Sequence, residues 1–423
     1  MQNIHRDKLF LASCLALLVT ALSFGIRAGI LNQLGVEFQL NATQLGSITA
    51  TAFWGFPLAI VIGGMIVDVI GMKRLLVAAF VFHLAGILLT IFAQGYWTLF
   101  ISTLFIGIAN GTVEAACNPL VTAIYPENKT TRLNHFHLWF PGGIVIGTLV
   151  VLLLNSMGLG WKIQVGIMII PSLFYGYLFS LLKFPVTERV SSGVSTATMY
   201  RSVVSPLFIF MFICMFGTAI TELFTGQWIG LLLMNVTENP ILILTLTTGI
   251  MVIGRAFAGP VVRRFSPQGL LLISAVFSAV GIYLLSTLSG SAIFFAAVIF
   301  GMGVCYFWPT MLGFVSENIP ESGALGMNLI GGAGMFAVSV YTVFMGSFYD
   351  NLVLEKLPSG SNLDAYLQAA PGTEMATALA QAKNTAGPDV LQATLVIPIV
   401  LIVAFAGLVF YMRSKRNISL TTN

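Results

Sequence analysis

Charged and metal-binding residues are scarce in this chain. Of its 423 residues only 8% are Asp, Glu, Lys or Arg, and it holds four histidines and four cysteines. The cysteines, Cys14, Cys117, Cys214 and Cys305, lie far apart in apolar stretches, without the spacing of a metal site or a disulfide framework. The sequence also lacks a nucleophile motif, a phosphate-binding loop and a basic patch. These absences argue against an enzyme, a bound metal or cofactor, and a nucleic-acid partner.

The chain consists largely of long apolar runs. Hydrophobic residues make up 57% of the chain, with 33 phenylalanines and 17 methionines, and the mean hydropathy is +0.94. Runs of about 20 apolar residues, the length a helix needs to cross a lipid bilayer, recur from end to end. Since backbone groups in hydrocarbon must be paired within their own segment, these runs predict an all-α membrane fold with twelve transmembrane helices. The predicted spans are 9–31, 44–69, 74–94, 97–124, 133–157, 162–183, 205–234, 239–262, 268–288, 291–315, 325–349 and 391–412.

Lysines and arginines are distributed unequally between the predicted loops. Fourteen fall on the side of the N-terminus and only three, Lys162, Lys356 and Lys383, on the other side. Positive charge resists translocation, so the side with the excess is predicted to be cytoplasmic. Both termini are therefore expected inside the cell, at the cell membrane, or at the inner membrane if the source is bacterial.

An internal duplication repeats several residues at a constant offset of 190. The repeated residues are Gly64 and Gly254, Lys73-Arg74 and Arg263-Arg264, Pro119 and Pro309, and Glu127-Asn128 and Glu317-Asn318. The offset predicts two pseudo-symmetric six-helix halves, 1–183 and 204–423, joined by a cytoplasmic linker at 184–203. The polar segment 351–388 is expected to be an extracytoplasmic connector between the last two helices, and a partly helical cap is the alternative. Repeated halves are typical of secondary transporters, in which one half rocks against the other around a midplane site.

The stretch GGMIVDVIGMKRLL, at 63–76, follows the second predicted helix. It resembles the Gly-x-x-x-Asp-x-x-Gly-x-Lys/Arg-Arg motif of the major facilitator superfamily, with Val69 where a basic residue is common. The matching residues are Gly64, Asp68, Gly71, Lys73 and Arg74. The resemblance implies that this loop is a cytoplasmic latch and that its aspartate joins a charge relay between the halves. The alternative is that Asp68 caps a helix end beside two basic residues.

Ionisable residues within the predicted helices are few. A charged side chain at the centre of a bilayer costs about 2.5–3.5 kcal/mol on insertion scales, so each one is a candidate functional group. The clear cases are Arg27, Glu114, Glu222 and Arg255. Arg255 lies near the cytoplasmic end of the eighth helix, where a gating role is expected.

Polar side chains recur around these groups at spacings of three and four residues, which places them on one helix face. In the fourth helix they are Asn110, Glu114 and Asn118. Those of the first and seventh helices are Thr20, Ser23, Arg27, Thr218, Thr221, Glu222 and Gln227. The three helices are therefore predicted to line one substrate cavity. Trp228 and Trp308 are further candidates because a flat apolar ring suits a sugar, although core packing explains either tryptophan equally well.

A narrower resemblance covers the fourth and fifth predicted helices. EAACNPLVTAIYPE followed by RLN is similar to a pattern of the fucose:proton symporter family, with one residue fewer in the intervening loop. The matching residues are Glu114, Asn118, Pro119, Thr122, Pro126, Glu127, Arg132, Leu133 and Asn134. In that family the matching glutamate lies in the sugar cavity and takes part in proton coupling, which the resemblance implies for Glu114. The alternative is a structural carboxylate paired with a neighbouring helix.

Departures from that pattern bear on the substrate. The symporters carry an acidic residue near position 28, where this chain has Ala28 after Arg27, and His137 and Phe140 occupy positions that face their sugar. A guanidinium in a low-dielectric cavity can bind a carboxylate or a phosphate through two parallel hydrogen bonds, and we expect a sugar acid or related carboxylate. If Arg27 instead neutralises a glutamate, the substrate is a neutral sugar. His137 is a candidate for substrate contact, and a histidine bonded to a backbone carbonyl is the alternative.

The sequence thus predicts a monomeric secondary active transporter that moves a small hydrophilic solute by alternating access. Proton symport through Glu114 and Glu222 is expected, because a substrate anion that takes over a nearby arginine frees a glutamate to bind a proton. Sodium is the alternative coupling ion, since carboxylate and amide oxygens also ligate it. The alternative functions are a neutral hexose:proton symporter and a non-transporting membrane sensor of the same fold.

Overall fold

The computed structural model describes residues 4–40, 42–232, 240–358, 362–370 and 372–421. Every regular element within these residues is helical. Eleven helices are long and apolar enough to cross a membrane, or twelve if one bent pair is counted as a single span. The prediction of an all-α membrane fold of this size is confirmed.

The first half of the chain forms six membrane-crossing segments. Its helices are α1 (Arg6–Glu37), α2 (Ala42–Ile70), α3 (Met72–Ile91), α4 (Tyr96–Ile124), α5 (Lys129–His137), α6 (Trp139–Ser156), α7 (Trp161–Gly166) and α8 (Ile169–Leu181). α4 packs against α2 and α3, while α1 packs against α6 and α8. A Cβ added at Gly111 of α4 would lie 2.2 Å from the carbonyl oxygen of Phe56, so glycine permits the close approach of α2 and α4.

The linker and the second half are also helical. Their elements are α9 (Glu188–Ser191), α10 (Thr196–Ser202), α11 (Pro206–Ala219), a π-helical turn (Ile220–Phe224), α12 (Thr225–Leu232), α13 (Pro240–Ala256), α14 (Ala258–Phe265), α15 (Pro267–Thr287), α16 (Ala292–Val304), α17 (Phe307–Asn318), a 3₁₀ turn (Pro320–Ser322), α18 (Gly323–Glu355), α19 (Leu363–Leu367) and α20 (Glu374–Thr421). α15 packs against α16 and α20.

The seventh and eighth predicted spans differ most from expectation. The seventh changes from α- to π-helix over Ile220–Phe224 before α12 continues it. The eighth is broken after Ala256, where α13 and α14 meet at an angle of 71°. Residues 233–234 of the seventh predicted helix, and residue 239 at the start of the eighth, lie outside the described residues.

The segment 351–388, expected to be a connector, is largely helical where it is described. α18 continues to Glu355, and α20 begins at Glu374, well before the predicted start at 391. The sequence EMATALAQAK explains the early start, because alanine and unbranched side chains have high helix propensity.

Contacts divide the chain into two compact units. Unit 1 comprises Met1–Ile213, Arg255–Val262 and Pro309–Met335, and unit 2 comprises Cys214–Gly254, Arg263–Trp308 and Phe336–Asn423. Unit 1 therefore takes in all of the first six spans together with two segments from later in the chain. The boundary between sequence halves at 184–203 stays a prediction.

Candidate functional site

Unit 1 holds a buried carboxylate, Glu114, within α4. The residue is 2% exposed, and Asn118 one turn later donates from Nδ2 to its Oε2 at 3.1 Å. The Asn118 Oδ1 lies 3.0 Å from Nε2 of His137, which is 1% exposed at the end of α5. We call Glu114, Asn118 and His137 the carboxylate chain. It connects the buried acid of α4 to the following helix through side-chain hydrogen bonds.

Arg255 reaches the carboxylate chain from the end of α13. Its side chain is 2% exposed, and Nη1 donates to the main-chain carbonyl oxygen of His137 at 3.0 Å. His137 is therefore bonded twice, through its ring to Asn118 and through its backbone to Arg255. The break between α13 and α14 follows directly after this residue. The gating role expected of Arg255 stays a prediction.

Asn110 belongs to a different hydrogen-bonded group. Its Oδ1 lies 2.8 Å from Nε2 of His83, and its Nδ2 donates to Oγ of Ser23 at 3.1 Å. His83 Nδ1 in turn lies 2.7 Å from the hydroxyl of Tyr175. Four residues advance a helix by about 40° beyond a full turn, which allows Asn110 and Glu114 to face different neighbours. No spacing pattern links these residues of α1, α3, α4 and α8, so sequence analysis missed the group.

Arg27 lies on α1 one turn after Ser23 and is partly buried. It lines a cavity of about 30 Å³ whose other polar side chains are Ser23, Thr90 and Thr103. Within the described part of the chain its guanidinium has neither an ion pair nor a hydrogen bond. The neutralising pair with a glutamate, which would favour a neutral sugar, is therefore not found there.

Unit 2 holds the second buried carboxylate, Glu222, at 6% exposure. It lies in the π-helical turn that interrupts the seventh span. Single π-helical turns inside α-helices occur frequently at functional sites, because the extra residue redirects the side chains around it. Sequence periodicity does not reveal such a turn, so this feature was not predicted.

Aromatic rings surround the turn that carries Glu222. The Phe224 ring centroid lies 5.3 Å from that of Trp228 and 4.8 Å from that of Tyr341. Trp308, elsewhere in unit 2, is 6% exposed, and its indole Nε1 has no hydrogen-bond partner among the described residues. The side chain of Gln227 lies outside the described residues. The substrate-binding roles of the two tryptophans stay predictions.

The motif around Asp68 contacts the linker. The Asp68 carboxylate, whose side chain is 4% exposed, accepts hydrogen bonds from the hydroxyl of Thr187 and from Nε of Arg189. Its observed partners are therefore residues that precede or begin α9, whereas the resemblance implied a relay between the halves. The expected latch role of Asp68 stays a prediction.

Other residues of the motif have distinct local roles. Gly71 adopts a φ of +89°, which L side chains rarely adopt, at the start of α3. A Cβ at Gly64 would lie 2.6 Å from that of Asn328 in α18. Lys73 donates from Nζ to two carbonyl oxygens at the end of α8. Arg74 is exposed.

A second group of charges in unit 1 surrounds the start of α5. Lys129 Nζ lies 2.6 and 2.8 Å from the two carboxylate oxygens of Glu188 and donates to the carbonyl oxygen of Ser316 at 3.2 Å. Its side chain is 8% exposed, so this ion pair is shielded from water on the lysine side. The linker is thus held by oppositely charged contacts at two consecutive residues, Glu188 and Arg189.

Tyr125 closes α4 just outside the membrane-crossing segment. Its hydroxyl donates to a carboxylate oxygen of Asp7 at 3.0 Å, and the guanidinium of Arg132 lies 4.2 Å from the ring centroid. Burial first, and then the bond to Asp7, raise the pKa of the Tyr125 phenol above its usual value. The phenol therefore stays protonated at neutral pH and serves as a donor.

Metal-binding groups are not assembled in the described residues. No cluster of three or more His, Cys, Asp or Glu side chains there has the arrangement of a metal site. The cysteines, Cys14, Cys117, Cys214 and Cys305, are all buried, and none of them forms a disulfide.

Comparison with known proteins identifies relatives of the chain. Residues 13–351 match the family model described as Major Facilitator Superfamily. The facilitated glucose transporter member 10 of solute carrier family 2 from Xenopus laevis is 28% identical over 164 residues, 38% of this chain and 30% of that protein. The cis,cis-muconate transport protein of Acinetobacter baylyi is 25% identical over 206 residues, 47% of this chain and 49% of that protein. The chain thus spans 30% of the length of the first of these curated relatives and 49% of the second.

A solved structure covers more of the chain. The crystal structure of the E. coli fucose:proton symporter has a TM-score of 0.68 at 17% sequence identity, and the alignment covers 93% of this chain and 98% of that one. This likeness shows that the chain has the same fold as that protein.

Proposed function

Because the chain belongs to the Major Facilitator Superfamily, whose members are transporters and not enzymes, we propose that it is a secondary active transporter of a small hydrophilic solute. Transport proceeds by alternating access, in which a midplane site faces each side of the membrane in turn. The observation that carries the proposal is the carboxylate chain. An ionisable group buried in a membrane helix is costly, and such groups mark solute and proton pathways.

Proton symport is the proposed form of coupling. Glu114 accepts a hydrogen bond from Asn118, and a proton taken up by the carboxyl group adds an O–H donor beside that bond. Asn118 also contacts the His137 ring, and Arg255 holds the His137 carbonyl. A proton at Glu114 is therefore only three contacts away from Arg255. This continuity allows protonation to influence the gate expected at Arg255.

The proposed substrate is a sugar acid or a related carboxylate. Arg27 supplies a positive charge at a cavity and has no acidic partner in the described residues. Its planar guanidinium matches the two oxygens of a carboxylate. Among the relatives, the name of one specifies cis,cis-muconate, a dicarboxylate, which supports an acidic solute. A neutral sugar is the second candidate, favoured by the relatives that are named for glucose, myo-inositol and D-xylose.

The proposed location is the cell membrane, with both termini in the cytoplasm and the monomer as the working unit. The excess of lysine and arginine in the loops on the side of the N-terminus supports this orientation.

Uptake into proteoliposomes tests the proposal. The purified chain is reconstituted, a pH gradient or a sodium gradient is imposed, and hexoses, hexuronates and small carboxylates are screened as labelled solutes. We expect a hexuronate or similar acid to accumulate under the pH gradient and not under the sodium gradient. Accumulation under sodium alone overturns proton coupling. Failure of every solute to accumulate overturns the transport proposal itself.

A further inference from the structure

The cavity beside Arg27 contains two polar groups without partners in the described chain. It lies in unit 1 among helices that include α1 and α4 and has a volume of about 30 Å³. Arg27 contributes a guanidinium and Thr103 a hydroxyl, and neither side chain has a hydrogen bond among the described residues. The other polar side chains of the wall, Ser23 and Thr90, donate to carbonyl oxygens of their own helices.

Thr103 differs from the other buried threonines of its helix. A threonine within a helix commonly donates to the carbonyl group one turn earlier. Thr112, also in α4, does so to Ile108 at 2.8 Å, and Thr122 donates to Pro119 at 3.1 Å. Thr103 is 4% exposed and makes no such bond. Its hydroxyl is therefore available to a ligand in the cavity.

The walls of the cavity are mainly apolar, so Arg27 and Thr103 find few acceptors for their hydrogen-bond donors there. Among the described residues the rest of the wall is aliphatic, apart from Met168, and supplies no carboxylate. Leaving donors unpaired in such surroundings is unfavourable, most of all for a group with a fixed charge. An anion with more than one acceptor atom satisfies both the guanidinium and the hydroxyl.

The cavity is small beside a whole solute. Its volume is about 30 Å³, and about 10–15 Å³ already holds one water molecule. The end of a solute therefore fits the cavity better than a whole sugar does, and a carboxylate is a small anionic end that carries two acceptor oxygens.

We propose that Arg27 and Thr103 together bind the carboxylate end of the substrate, with the rest of the solute outside the cavity. This assignment rests on the proposed function and adds Thr103 as a specificity-determining residue. It narrows the proposed substrate class to solutes with a terminal carboxylate, such as hexuronates.

The test compares three variants for uptake of a labelled hexuronate into proteoliposomes. Thr103→Val removes the hydroxyl at nearly constant volume, Thr103→Ser retains it, and Thr112→Val is the matched control on the same helix. A hydrogen bond to a charged group contributes enough that Thr103→Val should raise KM about tenfold, with kcat unchanged. Thr103→Ser and Thr112→Val should keep the parental KM. A hexose 6-phosphate should not compete with the hexuronate in the parent.

Several outcomes would overturn the assignment. A parental KM in Thr103→Val, an equal loss in Thr112→Val, or competition by the hexose phosphate comparable to that of unlabelled hexuronate contradicts it while leaving transport intact. If the parent takes up neither a hexuronate nor any other carboxylate, this assignment fails, and if it takes up no solute of the screen, the proposed function fails with it.

Discussion

The Glu-Asn turn occurs twice in the chain, at 127–128 and, 190 residues later, at 317–318. The two copies have the same sequence and make different contacts. Glu127, in the first copy, is exposed and lies 3.7 Å from Arg6, itself exposed. Glu317, its counterpart, accepts hydrogen bonds from the backbone N–H and the hydroxyl of Thr130 at 3.0 and 2.7 Å. Asn128 provides no side-chain cap for α5. Glu317 of the second copy therefore accepts the hydrogen bond at the N-terminus of α5, the helix that follows the first copy.

The two copies of the repeated basic pair, Lys73-Arg74 and Arg263-Arg264, also make different contacts. Lys73 donates to the carbonyl oxygens of Ser180 and Leu182 at 2.7 and 3.0 Å, which satisfies the C-terminus of α8. Its counterpart Arg263 is exposed in the last turn of α14 and has no ion pair among the described residues. A constant offset in the sequence therefore predicts where helices lie, whereas the contacts of each copy depend on the helices around it.

The largest expected effect distinguishes the two buried carboxylates. Glu114→Gln keeps the size of the side chain and removes the proton site, so we expect accumulation under a pH gradient to fall to that of protein-free liposomes. Exchange of solute without a gradient should continue. Glu222→Gln, outside the carboxylate chain, should retain part of the accumulation.

Glu127→Gln is the matched control, because the same change is made on an exposed turn. Gradient-driven uptake by Glu114→Gln at the parental level would contradict the coupling role. If Glu222→Gln loses as much gradient-driven accumulation as Glu114→Gln, both carboxylates take part in proton coupling.

The repeated glycines give the next largest effect. A Cβ at Gly64 would lie 2.6 Å from Cβ of Asn328, which is held by its own hydrogen bond to Ala115. We expect Gly64→Ala to cost about 1–3 kcal/mol, since overpacking displaces backbone. A Cβ at Gly254 would lie 2.5 Å from Sγ of Cys305, the movable end of a side chain, so Gly254→Ala should cost less.

The measurement for the glycine variants is the unfolding temperature in detergent. Gly46→Ala is the control, because nothing lies within 4 Å of the added Cβ and alanine favours helix. A lower unfolding temperature for Gly254→Ala than for Gly64→Ala would reverse the expected order and show that Cys305 cannot move.

The repeated glutamates should differ more modestly. Glu317→Gln keeps an acceptor for Thr130 and loses the charge at the helix N-terminus, which we expect to cost about 1 kcal/mol. Glu127→Gln, at an exposed pair, should leave stability within about 0.5 kcal/mol of the parent. Thermal unfolding at low and high salt checks both, and added salt should narrow the gap. If Glu317→Gln and Glu127→Gln are equally stable at low salt, Glu317 does not stabilise the N-terminus of α5 through its charge.

The smallest expected effect concerns the basic pair. Lys73→Met should lower stability by about 0.3–1 kcal/mol, because the carbonyl groups at the end of α8 lose their cationic partner. Arg263→Met should have no measurable effect on the unfolding temperature. A shift of the same size in both variants would trace the loss to net charge and not to the bonds of Lys73.

The spans themselves were predictable because apolar length is a local property of the chain. The prediction 74–94 corresponds to Met72–Ile91 and 268–288 to Pro267–Thr287, each within three residues. The break between α13 and α14 and the π-helical turn at Glu222 were not predicted, since both depend on how neighbouring helices pack and leave no periodic pattern.

The candidate site was predictable only in part. The bond between Asn118 and Glu114 follows from four-residue spacing, which places both on one helix face. The partners of Asn110 and Asp68 come from distant segments, His83 in one case and Arg189 in the other, and one sequence carries no record of such pairing. Their functional roles stay predictions that the variants above address.

The bond from Arg255 to the His137 carbonyl has an evolutionary consequence. A main-chain acceptor is the same for every amino acid, so a mutation at position 137 can replace the imidazole without deleting the acceptor that Arg255 uses. Natural selection can therefore alter the ring chemistry at this position while the Arg255 contact is inherited unchanged. A change of the side chain at position 137 therefore affects the bond to Asn118 and leaves the bond to Arg255 in place.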